Sequence, residues 1–264
     1  MSDIRDIMQE KICDAELVLV GIGEEFGDAL EKMREISELA DALEKAAEEE
    51  KLRWLTPYIE AVYVKKYKDD KKIEAYGILE KLLADKNYFV ISLRMDDAIY
   101  NTELKREKIV TPCGGYRFLQ CVDGCEDKVQ EVDERVQEEV YDCIKAGGNL
   151  NAIQPPLCPV CGKQMVYNNK KVPNYVEAGY LEDWKNYTRW LQGTVNKKVC
   201  VLELGVGMQF PNVIRWPFEK IVYFNQKASM FRVHSKLYQL TEEIKERGYK
   251  VEEKPIDFLI NRFV

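Results

Sequence analysis

Two close pairs of cysteines are the sequence feature that most constrains how this chain can fold. Cys121 and Cys125 form a C-x3-C pair, and Cys158 and Cys161 form a C-x2-C pair further along the chain. Two such pairs can place four thiolates at the corners of a tetrahedron, which is the arrangement that Zn2+ adopts in structural sites. The alternative is four unrelated buried thiols. The paired spacing and the Pro and Gly residues around the second pair favour a closed, structural zinc site.

Composition narrows the class of protein. The chain has 264 residues, of which 46% are hydrophobic and 32% are charged, as in ordinary globular proteins. Its net charge of -7 argues against a dedicated binder of nucleic acid or of anionic membranes. The charged start of the chain is unlike a secretory signal, and no apolar run approaches the ~18 residues of a membrane span. Cysteines without a signal predict a reducing, cytoplasmic location and no membrane partner.

Hydrophobic patterning predicts an α/β fold. Continuous apolar runs at 17–20, 88–93 and 199–204 are typical of parallel strands that are buried on both faces. The remaining predicted elements are helices at 3–14, 27–53, 71–86, 126–146, 180–192, 236–247 and 255–262, and short strands at 220–224 and 230–234. We therefore expect a Rossmann-like parallel sheet covered by helices (1–111 and 171–264), with a small four-cysteine zinc-binding module inserted at 112–170.

Two predicted strands end in a Gly-x-Gly turn, Gly21-Ile22-Gly23 and Gly205-Val206-Gly207. Ligands of open parallel sheets bind beyond the carboxyl ends of the strands, where glycine lets backbone amides approach a phosphate. The alternative is that these glycines only mark the points where a strand ends and a loop begins. Glu24 and Glu25 follow the first turn, and each would repel a pyrophosphate by about 1 kcal/mol in a wet site. The first loop is therefore a poor phosphate cradle unless both side chains turn outward.

Few other side chains are candidates for catalysis or ligand binding. Arg94 and Asp96 follow the second strand and can contact a phosphate and a ribose, or can simply form a surface ion pair. Cys113 lies in a turn rich in Pro and Gly, where a thiol acts as a nucleophile or base only if its pKa is lowered. An inert thiol is the default there. His234 is the only histidine, and a structural role is its default.

Taken in chain order, these features resemble the sirtuin family of NAD-dependent protein deacylases and ADP-ribosyltransferases, over roughly residues 12–245. The family's G-A-G opening is similar to Gly21-Ile22-Gly23. Its T-Q-N-x-D strand end is similar to Ser92-Leu93-Arg94-Met95-Asp96. Cys113-Gly114 stands where the family has H-G, eight residues before the first zinc cysteine.

Later segments extend the resemblance. The substrate-binding P-x-V-V-x-F-G-E looks like 173–180, and the G-T-S-x4-P strand end looks like 205–211. The I-N motif, which helps to hold the adenosine ribose, looks like Phe224-Asn225. The stretch 202–207, with Pro217-Phe218 beyond it, is most similar to a bacterial sub-branch. Some members of that branch are protein ADP-ribosyltransferases that also lack the histidine.

The resemblance implies NAD as cofactor and a structural Zn2+ held by the four cysteines. It places Cys113 at the position of the catalytic histidine and Arg94 at that of the asparagine, with Asp96 beside them. The implied cofactor-binding residues are Gly21, Ile22, Gly23, Asp96, Gly205, Val206, Gly207 and Asn225.

Two functional hypotheses follow. The first is an NAD-dependent protein-modifying transferase with an altered active site, of the protein deacylase or mono-ADP-ribosyltransferase class, acting on an acyl-lysine or lipoyl-carrier protein. The second is a catalytically degenerate sirtuin-fold protein that senses NAD or ADP-ribose, or serves as a protein-interaction scaffold. A nucleic-acid contact by the zinc module is disfavoured by its acidic stretch 126–146.

Overall fold

A six-stranded, all-parallel sheet forms the centre of the larger lobe. The computed structural model describes residues 3–27 and 30–263. The strands of this sheet are β1 (Leu17–Ile22), β2 (Asn87–Ser92), β3 (Ile109–Val110), β7 (Val199–Leu204), β8 (Ser229–Val233) and β9 (Gly248–Val251). Their order is β3-β2-β1-β7-β8-β9, so the direction of winding reverses between β1 and β7. In doubly wound sheets this reversal opens a crevice for ligands.

Helices cover both faces of the sheet. The α-helices are α1 (Ile4–Asp14), α2 (Ser37–Glu48), α3 (Thr56–Lys66), α4 (Asp70–Leu83), α5 (Glu134–Lys145), α6 (Leu181–Gln192), α7 (Arg215–Phe224) and α8 (Pro255–Phe263). Val18 and Val20 pack with α1, α4 and α8, whereas Leu17 and Leu19 pack with α6 and α7. The predicted strands buried on both faces, and the α/β class, are confirmed.

A second lobe surrounds the cysteines. Strands β4 (Gly114–Cys121), β5 (Gln130–Glu131) and β6 (Met165–Asn169) form an antiparallel sheet of order β5-β4-β6. Helices α2, α3 and α5 share one hydrophobic cluster with it. The packing therefore joins the helices of 37–66 to the inserted module rather than to the large sheet. The predicted domain boundaries at 111/112 and 170/171 remain a prediction.

Several predicted elements differ. The strand predicted at 220–224 is wrong, because this segment is the end of α7. A connection between parallel neighbours such as β7 and β8 needs a crossover, and Phe218 and Val222, one turn apart, are its buried contacts with the sheet. The helix predicted at 236–247 is also wrong. That segment is irregular apart from a 3₁₀ turn at Glu242–Ile244.

The remaining differences concern helix bounds. The helix predicted at 27–53 is divided into α2 and two 3₁₀ segments, Glu31–Glu35 and Glu50–Leu55. Positions 28 and 29 of that prediction lie outside the described residues. The helix predicted at 126–146 starts only at Glu134, after the short strand β5. Further 3₁₀ turns occur at Ala98–Asn101, Arg106–Lys108, Leu150–Ala152 and Glu177–Gly179. Within the described ranges, no helix is long and apolar enough to cross a membrane.

Candidate functional site

In the crevice where the strand order reverses, the two glycine turns contact each other. The Gly23 amide donates to Leu204 O at 2.9 Å, and the Glu25 amide donates to Gly205 O at 3.0 Å. A Cβ atom on Gly23 would lie 2.2 Å from Val206 Cα, so only glycine permits this approach. Gly205 has φ +68°, in the left-handed region that favours glycine. The two predicted turns therefore meet at one edge of the sheet.

Glu24 and Glu25 turn into this crevice rather than outward. Glu24 Oε2 accepts a hydrogen bond from the Gly207 amide at 2.7 Å. Glu25 accepts from the Ser235 amide at 2.9 Å and also from the Ser235 hydroxyl. The backbone donors at the ends of β7 and β8 are therefore engaged by carboxylates of the loop that follows β1.

Arg215, which the sequence did not single out, fixes the direction of one of these donors. It is 8% exposed, and its Nη1 donates to Val206 O at 2.9 Å while Nη2 donates to Leu237 O at 2.7 Å. Because the peptide between Val206 and Gly207 is planar, holding its carbonyl on one side directs the Gly207 N–H to the other side, toward the crevice.

A buried ion cluster lies at the end of β2. Asp96 Oδ2 accepts from Arg94 Nη2 at 2.9 Å and from Lys72 Nζ at 3.0 Å, and its Oδ1 accepts from the Ala98 amide. Burial opposes ionisation of Asp96, but the charges of Arg94 and Lys72 outweigh it and lower its pKa. Arg94 Nη1 also donates to Glu24 O at 2.7 Å. The Arg94–Asp96 pair exists, but it is an interior ion pair rather than a surface one.

A cavity of about 240 Å³ adjoins this cluster, between the two lobes. Its lining residues are Glu24, Leu30, Val64, Leu93, Arg94, Met95, Asp96, Tyr116, Lys171 and Gln209. Charged and apolar side chains both line it, and α3 contributes Val64. The cavity therefore brings the predicted residues Arg94 and Asp96 together with the acidic loop that follows β1.

Cys113 lies beside the crevice but is only 1% exposed and packs in the same apolar cluster as Leu93 and Val206. Burial, and then the charge of Glu24, raise its pKa to about 12. The side chain is therefore a neutral thiol near pH 7 and cannot accept a proton there.

Asn225 is not part of the crevice. It follows α7, and its side-chain amide donates to Thr194 O and Lys197 O, in the turn that precedes β7. The predicted strand end at Phe224-Asn225 is wrong, since the strand after β7 is β8. Asn225 therefore lies at the opposite edge of the sheet from Gly23.

His234 occupies the position at the end of β8. Its Nδ1 accepts hydrogen bonds from the Lys236 and Leu237 amides at 3.1 and 3.2 Å. Burial lowers its pKa, and the charge of Glu25 only partly opposes that effect. The same Nδ1 also lies 3.1 Å from Glu25 Oε2, which places His234 in the turn that presents Ser235 to Glu25.

The four predicted metal ligands come together in the small lobe. The sulfur atoms of Cys121, Cys125, Cys158 and Cys161 all lie within 4.8 Å of one another. The Cys121–Cys161 and Cys125–Cys158 sulfur distances are 3.5 and 3.6 Å, far from the ~2.05 Å of a disulfide. They approach the ~3.8 Å between ligands that Zn–S bonds of ~2.3 Å give in a tetrahedron. This donor set fits zinc in a closed site with no position for a substrate.

The segment that resembles the substrate-binding motif is tied to the small lobe. The Val176 amide donates to Gln120 Oε1 at 2.9 Å, and Asn168 Nδ2 donates to Val176 O at 2.8 Å. Gln120 and Asn168 are themselves paired and buried. The Val176 amide is thus already used within the chain and is not free to donate to an extended peptide.

Comparison with solved structures identifies the class. One structure, described as the structural basis of sirtuin substrate affinity, matches 99% of this chain and 98% of its own with a TM-score of 0.53 and 14% identity. A Sir2 mutant with a p53 peptide and NAD matches 99% and 97% with a TM-score of 0.52 and 14% identity. Fold and site define a doubly wound α/β protein with a smaller lobe that carries a four-cysteine cluster able to hold a metal ion. More particularly, this chain has the sirtuin fold, and the resemblance predicted from its motifs is confirmed at that level.

Two curated relatives have similar sequences. A protein ADP-ribosyltransferase of Staphylococcus aureus (strain Mu50 / ATCC 700699) is 23% identical over 270 residues, which cover 92% of this chain and 81% of the relative. A probable bifunctional ADP-ribose hydrolase/ADP-ribosyltransferase of Fusarium oxysporum f. sp. cubense is 31% identical over 138 residues. That match covers 51% of this chain and only 23% of the fungal protein. No protein-family model matches the chain.

Proposed function

We propose that this chain is an NAD-dependent transferase that moves an ADP-ribosyl group onto a protein. The observation that carries the proposal is the crevice where Gly23 and Gly205 meet, with Arg94 and Asp96 beside it. The fold, and the ADP-ribosyltransferase activity named for the staphylococcal relative, support the same class. NAD would lie in this crevice, beyond the carboxyl ends of the strands, and supplies the ADP-ribosyl group when bound.

ADP-ribosyl transfer fits the side chains better than deacylation does. The deacylation implied by the resemblance relies on a base that activates a ribose hydroxyl, whereas Cys113 is a neutral thiol with a pKa of about 12. Cleavage of a glycosidic bond relies mainly on positioning and charge stabilisation. Arg94 supplies a cation at the cavity, and Asp96 holds it there with two hydrogen bonds of 3.1 and 2.9 Å. The acceptor is a protein, with an acyl-lysine or lipoyl-carrier protein as the first to test.

Calorimetry with NAD and with ADP-ribose on zinc-loaded protein tests ligand binding. Nicotinamide release and transfer of labelled ADP-ribose to a lipoyl-carrier protein then test the reaction. We expect Arg94→Ala to lower transfer by about 100-fold, whereas Cys113→Ser and the surface variant Arg189→Ala change it by less than about threefold. Binding of neither ligand, or full transfer by Arg94→Ala, contradicts the proposal.

The second candidate is a sirtuin-fold nucleotide sensor or scaffold without catalysis. The inward-turned Glu24 and Glu25 and the neutral Cys113 favour it. This candidate predicts that ADP-ribose binds but that nicotinamide is never released from NAD, with or without a protein acceptor. In either case the four cysteines are proposed to hold a structural Zn2+.

A further inference from the structure

The crevice already contains an anion that belongs to the chain itself. Glu24 Oε2 accepts the Gly207 amide at 2.7 Å, and Arg215 directs that amide toward the crevice by holding Val206 O. A backbone N–H at the end of a parallel strand is the kind of donor that a phosphate uses in doubly wound sheets. A carboxylate and a phosphate oxygen therefore compete for the same hydrogen bond.

The two glutamates are held unequally. Both carboxylate oxygens of Glu25 accept hydrogen bonds, from the Ser235 amide and the Ser235 hydroxyl. Within the described part of the chain, Glu24 Oε1 is buried and accepts no hydrogen bond. A buried acceptor without a donor is unfavourable, so Glu24 is the side chain that is held more weakly.

The Glu24 side chain also lies where its rotation would change the charge and the hydrogen-bond donors of the crevice. It lines the cavity shared with Arg94 and Asp96, and Arg94 Nη1 holds its carbonyl at 2.7 Å. The backbone carbonyl of Glu24 is therefore held by Arg94, while its side chain is held at one carboxylate oxygen only. Rotation of the side chain alone frees the Gly207 amide and removes a negative charge from the crevice.

We propose that the Glu24 carboxylate is an internal competitor that a dinucleotide must displace from the Gly207 amide before it binds. This inference rests on the proposed function, since it concerns the pyrophosphate of the same ligand. Glu24 thereby makes ligand binding weaker than the glycine turns alone would allow, and it disfavours entry of ligands with high negative charge.

Calorimetry on Glu24→Gln tests the charge alone, because glutamine still accepts the Gly207 amide. We expect ADP-ribose to bind about tenfold more tightly than to the wild-type chain, and adenosine, which has no phosphate, to bind equally to both. Glu24→Ala, which empties the position, should show at least the same gain. Glu16→Gln is the matched control, because Glu16 accepts the Lys198 amide at the opposite edge of the sheet. It should bind like the wild-type chain.

The outcomes separate the two proposals. Tighter binding of ADP-ribose by both Glu24 variants than by the wild-type chain supports the internal competitor. Equal binding of ADP-ribose by the wild-type chain and both variants overturns the competitor but leaves the proposed function standing. Failure of folded, zinc-loaded wild-type and variant proteins to bind ADP-ribose or NAD overturns both.

Discussion

Lys72 Nζ on α4 lies 3.0 Å from Asp96 Oδ2 at the end of β2, and the two side chains are only 9% and 3% exposed. Arg94 contacts the same carboxylate oxygen at 2.9 Å. One buried carboxylate therefore attaches a helix to the sheet edge and orients the cation of the proposed site. Lys72 has a positioning role in this cluster because it acts through Asp96.

Replacing Lys72 with methionine keeps the length of the side chain but leaves Asp96 with one cation. Since breaking a buried ion pair leaves an uncompensated charge, we expect the free energy of unfolding to fall by about 3 kcal/mol. Urea denaturation measures it. Lys71→Met is the control, because Lys71 is 72% exposed and lies 3.9 Å from its partner. A loss in Lys72→Met no larger than in the control would show that the pair contributes nothing.

The pKa of Asp96 gives the same cluster a pH dependence. Because this pKa is lowered in the folded chain, the stabilisation is fully present above the unfolded value of ~3.9 and is lost as pH falls through the folded value. Lys72→Met should therefore lower stability at pH 6 more than at pH 3. An equal loss at both pH values would contradict the ionised state of Asp96.

The raised pKa of Asp97 predicts that the stability of the fold depends on pH in the opposite direction. Its carboxylate accepts the Tyr116 amide at 2.5 Å, and burial raises its pKa to about 7. The stabilisation is therefore fully present below the unfolded pKa of ~3.9 and is lost as pH rises through about 7.

Asp97→Asn tests this sign, because asparagine still accepts the amide and tolerates the φ of 54° at this position. We expect the variant to gain stability over the wild-type chain as pH rises from 4 to 8, by on the order of 3 kcal/mol. Thermal or urea unfolding at both pH values measures the gain. The exposed Asp85→Asn should show none, and a gain that is independent of pH would refute the assignment to Asp97.

Metal content tests the four-cysteine site. We expect about one zinc per wild-type chain by elemental analysis, and much less in Cys161→Ser, because three thiolates cannot close the tetrahedron. The variant should also lose several kcal/mol of stability, since metal binding contributes directly to folding. Cys143→Ser, which changes a thiol outside the cluster, should keep its zinc. A stable, metal-free wild-type protein would contradict the site.

Alanine substitutions at Gly23, in the crevice, and at Gly77, in α4, test whether the contact between the two turns needs glycine. A Cβ on Gly23 would meet the backbone of Val206 at 2.2 Å, so Gly23→Ala should cost about 3 kcal/mol or more by overpacking. A Cβ on Gly77, in α4, would meet nothing within 4 Å. Gly77→Ala should therefore stabilise the chain by about 0.5–1 kcal/mol. Equal effects in chemical denaturation would show that the two turns do not need glycine for their contact.

Sequence patterns within short stretches of the chain predicted most of the fold. The apolar runs of β1, β2 and β7 indicated strands covered on both faces, and the cysteine spacing indicated that the four thiols of the small lobe cluster together. The prediction of a strand at 220–224 was wrong. The β-branched and aromatic residues of this segment are typical of a strand, but the connection between β7 and β8 needs a helix. The same error placed the expected ribose-binding strand end at Phe224-Asn225, whereas the strand that follows β7 is β8 and ends at Val233.

The sequence by itself determined the α/β class, the two glycine turns and the two close cysteine pairs of the small lobe, since each depends on spacing along a short stretch. Only the tertiary structure decided that Glu24 and Glu25 face inward, that Arg215 directs the Gly207 amide and that Lys72 reaches Asp96. These contacts join residues separated by 9 to 210 positions, and most of their partners are brought together by strand order, which no local pattern encodes.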